Sequence, residues 1–559
     1  MFKPHVYETD PRVRKYIVPV RIVRTTGHVT GAENLLQERP PQISLEKPAF
    51  WPPCVLTNKN GERASVLVDF GCEIHGSARI YSWYVRPADR STNRVNLRLR
   101  FGESVTEAIT PYPERGSTND HANRDVHLNV GFLSANETNE SGFRFLNVEL
   151  EDDNASIELY MLQGVMIVRE LEQSGTFTCS DQRINDIYDT SVYTAFLNMQ
   201  EYLWDGIKRD RLVWCGDIYP SEKTILAAYG AHEILKRSLD IHRQITPPDK
   251  WMNGMPTYSL WWLLSHEILY MAGGDLEYLK QQHDYMAALV RNVANYIAPD
   301  GQEKLPGGFL DWPNSENKIA IHAGQQALMA QAYRKTAQMM RAMGDEETAA
   351  FCDEKNALLT GVHLPQNHSK QAAALQALFG LEDPVEMNEK VIMPGGAHGY
   401  STFLGYAVLA AKAEAGDVSG ALRDMRDYWG AMLDLGATTF WEDFDLKWAE
   451  NAARIDEVVP EGKADVHADF GAYCYTNLRH SLCHAWASGP APFLAEYVLG
   501  IRPLEPGCTK VAVKPNLGDL DWAEGTYPTP KGLISVRCEQ TESGVKTTVS
   551  APDGVEIVR

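Results

Sequence analysis

The sequence predicts a multidomain α+β protein in which an (α/α)6 helical toroid stands between an N-terminal antiparallel β-sandwich and a small C-terminal β-sandwich. Three observations predict it. Apolar and polar residues alternate in short runs over residues 46–172, the period changes to 3.6 over 173–500, and alternation returns over 501–559. Strand–helix alternation and a repeat of fixed period are both missing, which argues against a parallel barrel or a solenoid.

Residues 1–45 are polar and rich in proline, so an irregular lead-in is expected there. "ASVLVDFG", "GSARIYSWYV", "RVNLRLRFGE" and "SIELYMLQGVMIVRE" then read as strands separated by Gly, Asn, Asp and Pro turns. The polar stretch "ERGSTNDHANRDVHLNVGFLSANETNESG" interrupts them and reads as a loop over a site or a flap. Ser180-Asp181 is placed to cap the first helix, whose apolar positions include Ile184, Ile187, Val192, Phe196 and Met199. Further helices are expected near 218–241, 258–272, 275–297, 318–343, 345–360, 368–380, 400–415, 418–434, 466–487 and 489–499. Paired as six hairpins they would ring a central pocket with helix ends and loops. Beyond Gly-Ile-Arg-Pro, "CTKVAVKPN", "GLISVRCEQT" and "GVKTTVSAPDG" supply the last strands.

Composition narrows the function. A chain of 559 residues exceeds one ordinary core, and its 44% hydrophobic and 23% charged residues are those of a water-soluble protein. A net charge of -21 argues against nucleic acid and anionic membranes and leaves a neutral partner. The aromatic fraction of 10% suits stacking on sugar rings and the filling of large cores alike. The nine cysteines are scattered, with no C-x-x-C pair and no zinc spacing, so reduced buried thiols are expected and no metal or cofactor is implied. The N-terminus lacks the apolar run of a signal peptide and no stretch has the length of a membrane span, which predicts a cytoplasmic protein; an exported one with its signal peptide removed would read the same. Self-association is left open.

Two acidic stations could carry chemistry. "DGIKRDRLVWCGD" concentrates Asp205, Asp210 and Asp217 with Lys208, Arg209, Arg211 and Trp214 between two helices; "GATTFWEDFD" places Glu442 and Asp443 after Trp441. Each alone reads as well as a structural salt-bridge cluster, but two carboxylate stations beside aromatic rings at a central pocket are what glycoside hydrolysis requires. Tyr258 and Trp261 in "WMNGMPTYSLWW", Asp311 and Trp312 in "GGFLDWPNSE", and His484 in "HSLCHAW" are further candidates. Asp465, His467 and Asp469 alternate in a way that does not gather on one helical face, so a metal is not expected there.

These blocks, in this order, resemble the α-L-rhamnosidases of glycoside hydrolase family 78. "KRDRLVWCGD" lies over the second half of that family's D-C-P-x-R-D-E-R-x-x-W-x-G-D segment, "GATTFWEDF" over G-A-T-T-x-W-E-x-W, and "SLCHAWASGPAPFLAEYVLGI" over S-L-N-H-x-x-x-G followed by W-L-Y-x-x-x-x-G-I. "PTYSLWWL", "LDWP", "VLVDFGCEIHGSARI", "LRLRFGE", "GFRFLNVEL" and "SGTFTCSDQRINDIY" resemble other blocks. The resemblance implies an inverting glycosidase acting on a carbohydrate, with Asp210 as general acid and Glu442 as general base. It also implies that Asp205 and Asp217 hold sugar hydroxyls, that Trp214 forms an aromatic wall and that His484 binds sugar; Lys208, Arg209, Tyr258, Trp261, Asp311, Trp312 and Trp441 are the other substrate-contact candidates.

The chain departs from the family pattern at three points. Asp210 replaces a longer Glu, one residue is missing between Asp205 and Arg211, and Lys208 stands where a sugar-contacting Arg is usual and lacks its bidentate geometry. The chain is also short for the family, which suggests a small glycoside or oligosaccharide as substrate. Two other functions fit the same residues: an (α/α)6 hydrolase or lyase acting on a uronate, favoured if the basic cluster faces the pocket, and a sugar-binding protein whose shorter acid has lost catalysis.

Overall fold

The computed structural model describes residues 4–121, 123–473 and 475–559. Its N-terminal part is a ten-stranded antiparallel sheet wrapped around its own core. The long strand Ser65–Arg86 organises it, pairing with Arg21–Thr26, Ser134–Glu137, Ser141–Leu150 and Ser156–Arg169. Successive side chains point to opposite faces, so Val66, Val68 and Phe70 enter that core while Leu67 packs with Val105 and Phe145 on the other side. The strand bends between Asp69 and Ile74, where its register shifts, and it crosses Ser156–Arg169 at Gly76. A Cβ at Gly76 would stand 1.8 Å from the Val165 carbonyl oxygen, so only glycine fits.

The expected irregular lead-in is corrected here: Arg12–Ile17 pairs with Ser156–Arg169, Arg21–Thr26 with Ser65–Arg86, and His28–Thr30 with Cys54–Thr57. These strands are largely exposed, so their sequence lacks the apolar alternation that marks a half-buried strand.

The helical body is a double ring. Cys215–Tyr229, Pro256–Gly273, Lys318–Met343, Lys370–Leu378, Gly405–Glu414 and the short helical run 490–498 pack each on the next, and the last closes back on the first. These inner helices are buried on most sides. Glu233–Ile245, Leu276–Ala294, Glu346–Thr360 and Val418–Asp434 alternate with them on the outside, each burying one stripe. The expected (α/α)6 architecture is what the chain forms.

Two expected helices differ. The stretch 218–241 is two helices, parted at Gly230, whose φ of 74° ends the first. The described residues of 466–487 form no long helix but a run of turns with short 3-10 segments at Asn477–Arg479 and Ala485–Ser488. Its backbone is instead spent on contacts with the site, described below.

The C-terminal strands form two small sheets. Trp522–Thr529, Gly532–Thr541 and Gly544–Ser550 are joined by Thr176–Cys179, the strand that precedes the first barrel helix; Ile501–Pro503, Lys510–Val513 and Glu556–Val558 form the other. Their inward residues Val511, Val513, Tyr527, Ile534 and Val536 share the core of the helical body. The eight described cysteines are free thiols, all buried except the half-buried Cys72; Cys474 lies outside the described residues. Among the described residues no helix is long and apolar enough to cross a membrane.

The N-terminal sheet is tied to the barrel by a buried fork. Arg144 donates to both oxygens of Asp69 (2.9 and 3.0 Å) and to the Gly436 carbonyl (3.0 Å). Arg144→Met would leave the buried Asp69 carboxylate with the half-exposed Arg21 guanidinium (2.8 Å) as its remaining charge partner and is expected to destabilise the protein by about 1–3 kcal/mol, while the double change Asp69→Leu, Arg144→Met recovers most of that loss, as read from urea unfolding midpoints.

Candidate active site

The loops leading into Cys215–Tyr229, Pro256–Gly273, Lys318–Met343 and the run 490–498 enclose a cavity of about 330 Å³. Its wall includes Asp205, Arg209, Asp210, Trp214, Asp217 and Tyr258, together with Trp312, Glu442 and His484.

The segment 205–214 enters between Gln182–Asn198 and Cys215–Tyr229 and is held from two sides. Gly206 bridges to His484, the Asp205 carbonyl accepts from the Ala485 N–H (3.1 Å), and the Asp205 carboxylate accepts from the Leu212 N–H (3.0 Å). On the other side, Gly142 of the N-terminal sheet approaches so closely that a Cβ there would lie 2.7 Å from the Lys208 nitrogen. Asn253 completes the entry to the helix: its side-chain oxygen accepts from the Cys215 N–H (2.8 Å), which Trp214 leaves uncapped.

Asp217, in the first turn of that helix, accepts from the Tyr258 hydroxyl (2.9 Å). Gly216 makes this contact sterically available, since a Cβ there would sit 2.3 Å from the Tyr258 ring. Trp214 meets Tyr258 edge to face, and Phe309, Trp312 and Trp486 extend the aromatic lining.

Arg209 lies at the centre. Its Nη2 donates to both oxygens of Glu442 at 2.7 Å, its Nη1 lies 3.1 Å from Asp210 Oδ1, and its Nε donates to the Arg479 carbonyl (3.0 Å). Tyr475 covers the guanidinium, 5.1 Å from ring centroid to cation. Glu442 also accepts from the Ser481 N–H (3.2 Å), and its carboxylate lies 3.6 Å from His484 Nε2.

Burial raises the Glu442 carboxyl above its usual range, and Arg209 restrains the rise. Asp205 and Asp217 are pushed well above theirs, by burial first and then by neighbouring acids. Burial and the Arg209 charge hold His484 far below the ordinary histidine range, so its imidazole is neutral.

Of the polar stretch expected as a loop or flap, Asp125–Gly131 and Ser134–Glu137 are paired strands of the sheet, and the part before them reaches the rim. His121 Nδ1 lies 3.4 Å from Asp210 Oδ1, and Asp120 pairs with Arg479 at 3.3 Å.

Several candidates stand elsewhere. Lys208 is off the cavity wall, with its ammonium 3.2 Å from Glu103 and 3.1 Å from Glu107 of the N-terminal domain. Arg211 turns away to the carbonyls of Glu140 and His121. Trp261, one turn beyond Tyr258, packs on Tyr219 inside the barrel. Asp311 braces the Trp312 turn by accepting from Ser401 (2.7 Å) and Asn314, with burial raising it to about 6. Trp441 is buried against Phe444, and Asp443, raised to about 7 by burial, accepts from its neighbour Phe444 N–H. Asp465 and Asp469 share Arg115, while His467 joins Glu103 and Glu107. Asn253, Met255, Phe309, Tyr475, Arg479 and Trp486 line the cavity without having been singled out; for Trp486 the signal was its place two residues after His484.

The comparisons with known proteins agree with this architecture. Residues 172–364 match the family model of the bacterial alpha-L-rhamnosidase 6 hairpin glycosidase domain, and residues 500–558 that of the bacterial alpha-L-rhamnosidase C-terminal domain. An alpha-L-rhamnosidase of Alteromonas sp. (strain LOR) is 24% identical over 558 residues, covering 89% of this chain and 56% of its own length. The solved GH78 family rhamnosidase of Bacillus sp. GL1 superposes with a TM-score of 0.76 at 20% identity, over 94% of this chain and 55% of that one. A rhamnosidase from Klebsiella oxytoca, solved with rhamnose bound, gives 0.69 at 20% identity over 86% and 95%. The chain thus spans little more than half the length of the Alteromonas and Bacillus proteins. The resemblance to the α-L-rhamnosidases of glycoside hydrolase family 78 is borne out.

The Gly216 contact makes a local prediction. Gly216→Ala would drive Tyr258 off Asp217 and cost about 1–3 kcal/mol by overpacking, whereas Gly216→Ala with Tyr258→Ala, which opens the space, is expected to be no less stable than Tyr258→Ala alone in thermal denaturation.

Proposed function

We propose that this chain is an inverting glycoside hydrolase that releases terminal α-L-rhamnose, or a closely related sugar, from a small glycoside or oligosaccharide, with Asp210 as general acid and Glu442 as general base. One observation carries the reading: Asp210 and Glu442 line the same cavity and meet different nitrogens of one guanidinium, that of Arg209.

A bridging guanidinium keeps two carboxyls apart, and inversion needs roughly 6.5–9.5 Å between them so that a water fits on the far face of the sugar. The Arg209 pair favours the ionised form of Glu442, which a base that takes a proton from water requires. Asp210 gives a proton to the glycosidic oxygen as the bond breaks, and Glu442 takes one from the attacking water, so one turnover leaves Asp210 deprotonated and Glu442 protonated, and proton exchange with solvent restores both for the next.

Asp205 and Asp217, raised by burial, carry protons more readily than ordinary carboxyls and can donate to sugar hydroxyls as well as accept from them. Trp214, Phe309 and Trp312 offer faces to the apolar side of a sugar ring. The uronate alternative has less support, because of the basic cluster only Arg209 lines the cavity, where Glu442 and Asp210 already engage it, while Lys208 and Arg211 face away and four carboxyls line the wall. The family likeness and the rhamnose bound to the Klebsiella relative favour rhamnose among neutral sugars.

The native protein is expected to release chromophore from an aryl α-L-rhamnoside, with Asp210→Asn and Glu442→Gln each lowering kcat/KM by about 10²–10⁴-fold. The first-formed sugar, followed by NMR, should be the β-anomer. Equal rates in all three proteins, or release of the α-anomer, would remove this assignment, and sugar binding without hydrolysis in any of them would favour the non-catalytic reading.

A further inference from the structure

We propose that Glu103, which projects from the N-terminal β-domain into the barrel, is a positioning residue for Glu442, and that Lys208 is the built-in cation that locks it in place. This rests on the reading of Glu442 as the base.

Glu103 follows the strand Arg94–Gly102 and is fully buried. Its Oε2 accepts from the Leu482 N–H at 2.6 Å and its Oε1 from the Ser481 hydroxyl at 3.3 Å. The adjoining backbone holds Glu442 at both ends: the Ser481 N–H donates to the Glu442 carboxylate (3.2 Å), and the Ser481 carbonyl accepts from the Glu442 N–H (3.0 Å). One peptide unit therefore separates a side chain of the β-domain from the base.

Lys208 fixes the same segment from below. Its ammonium donates to the carbonyls of Leu478 (3.0 Å) and His480 while pairing with Glu103 and Glu107. The next residue, Arg209, takes the intervening carbonyl of Arg479 and clamps Glu442. Consecutive residues of one loop thus grip three consecutive carbonyls of the other, so segment 478–482 cannot shift without breaking ion pairs.

Glu103, Glu107 and His467 offer ligand atoms within 4.8 Å of one another, as a metal site would. The Lys208 ammonium lies within 3.4 Å of all three, so the protein supplies that cation itself. A purely cohesive role would not need this set: an apolar cluster of equal volume would hold two domains together at least as well. What an apolar cluster cannot do is satisfy the Leu482 N–H and two carbonyls in register.

The test compares the full-length protein with Glu103→Gln, which keeps shape and an acceptor oxygen but removes the charge, Lys208→Met, and the double variant. Each single change is expected to lower kcat by about 100-fold, the cost of misplacing a catalytic group by ~1 Å, and to leave KM within about threefold. Amide exchange should quicken at 440–443 and 478–484 and stay unchanged in the sheet core. The double variant should be no worse than the worse single one, because the pair acts as a unit. If Lys208→Met fails to fold, Glu103→Gln decides alone. Unchanged exchange in those segments, or a loss spread over the whole β-domain, overturns the proposal. Absence of hydrolysis by the native protein would remove the proposed function, and the exchange result would then decide whether Glu103 positions Glu442.

Discussion

The bidentate contact between Arg209 and Glu442 is the constraint on which the rest of the site depends. Both side chains are buried. A carboxylate withdrawn from water loses several kcal/mol of solvation unless an opposite charge and hydrogen bonds replace it. Two 2.7 Å bonds to one nitrogen supply that replacement, but they leave the guanidinium with three further donor directions to fill. The surrounding chain supplies Asp210 and the Arg479 carbonyl to two of them, and the ring of Tyr475 covers the face of the cation. The shape of the 475–484 segment follows from these demands, and so does its failure to be helical: carbonyls and N–H groups that would close helical turns are committed to Arg209, Lys208 and Glu442.

The same pair sorts Glu442, Asp205 and Asp217 into two kinds. Only Glu442 takes two hydrogen bonds from a cation, and the Arg209 charge restrains the rise that burial causes. Asp205 and Asp217 sit in the same enclosure without such a partner, and burial plus mutual repulsion drives them toward protonation. A cavity of one chemical type of residue thereby offers both proton-accepting and proton-donating groups. Environments that push like residues apart are how one site runs acid and base chemistry at a single pH.

Much of this was legible in the sequence because it follows from local pattern. The switch to a period of 3.6 and the return of alternation bracket the helices, the first of which starts at Gln182 after the strand Thr176–Cys179, and Asp181 caps that helix as its position predicts. The charge cluster at 205–217 announced a site. Which way its side chains turn was not legible: Lys208, Arg209 and Arg211 are neighbours of similar charge, yet only Arg209 faces the cavity, because Glu103, Glu107 and Glu140 of a distant domain claim the other two. Trp261 was misplaced for the converse reason, since one helical turn past Tyr258 lies within the barrel wall. Tyr475, Leu478, Leu482 and Trp486 are spaced three or four apart and so imitate one helical face, whereas in the structure burial runs unbroken over 480–487.

Asp210 shows how backbone and side chain share one task. It and Arg211 both adopt positive φ, 54° and 50°, which costs of order 1–3 kcal/mol apiece for residues other than glycine. The cost is offset where Arg211 meets the Glu140 and His121 carbonyls and the Trp204 ring. The family pattern that this segment resembles has a longer acid here and one more residue; this chain has a shorter acid, carried on a left-handed turn. Both departures act on one quantity, the place where the proposed acid's oxygens stand. In a loop anchored at Asp205 by Leu212 and at Arg211 by the β-domain, that place is set by the turn before it is set by side-chain length. A shorter carboxylate is therefore compatible with the proposed role only together with the strained turn that presents it, and the two departures are best understood as one change.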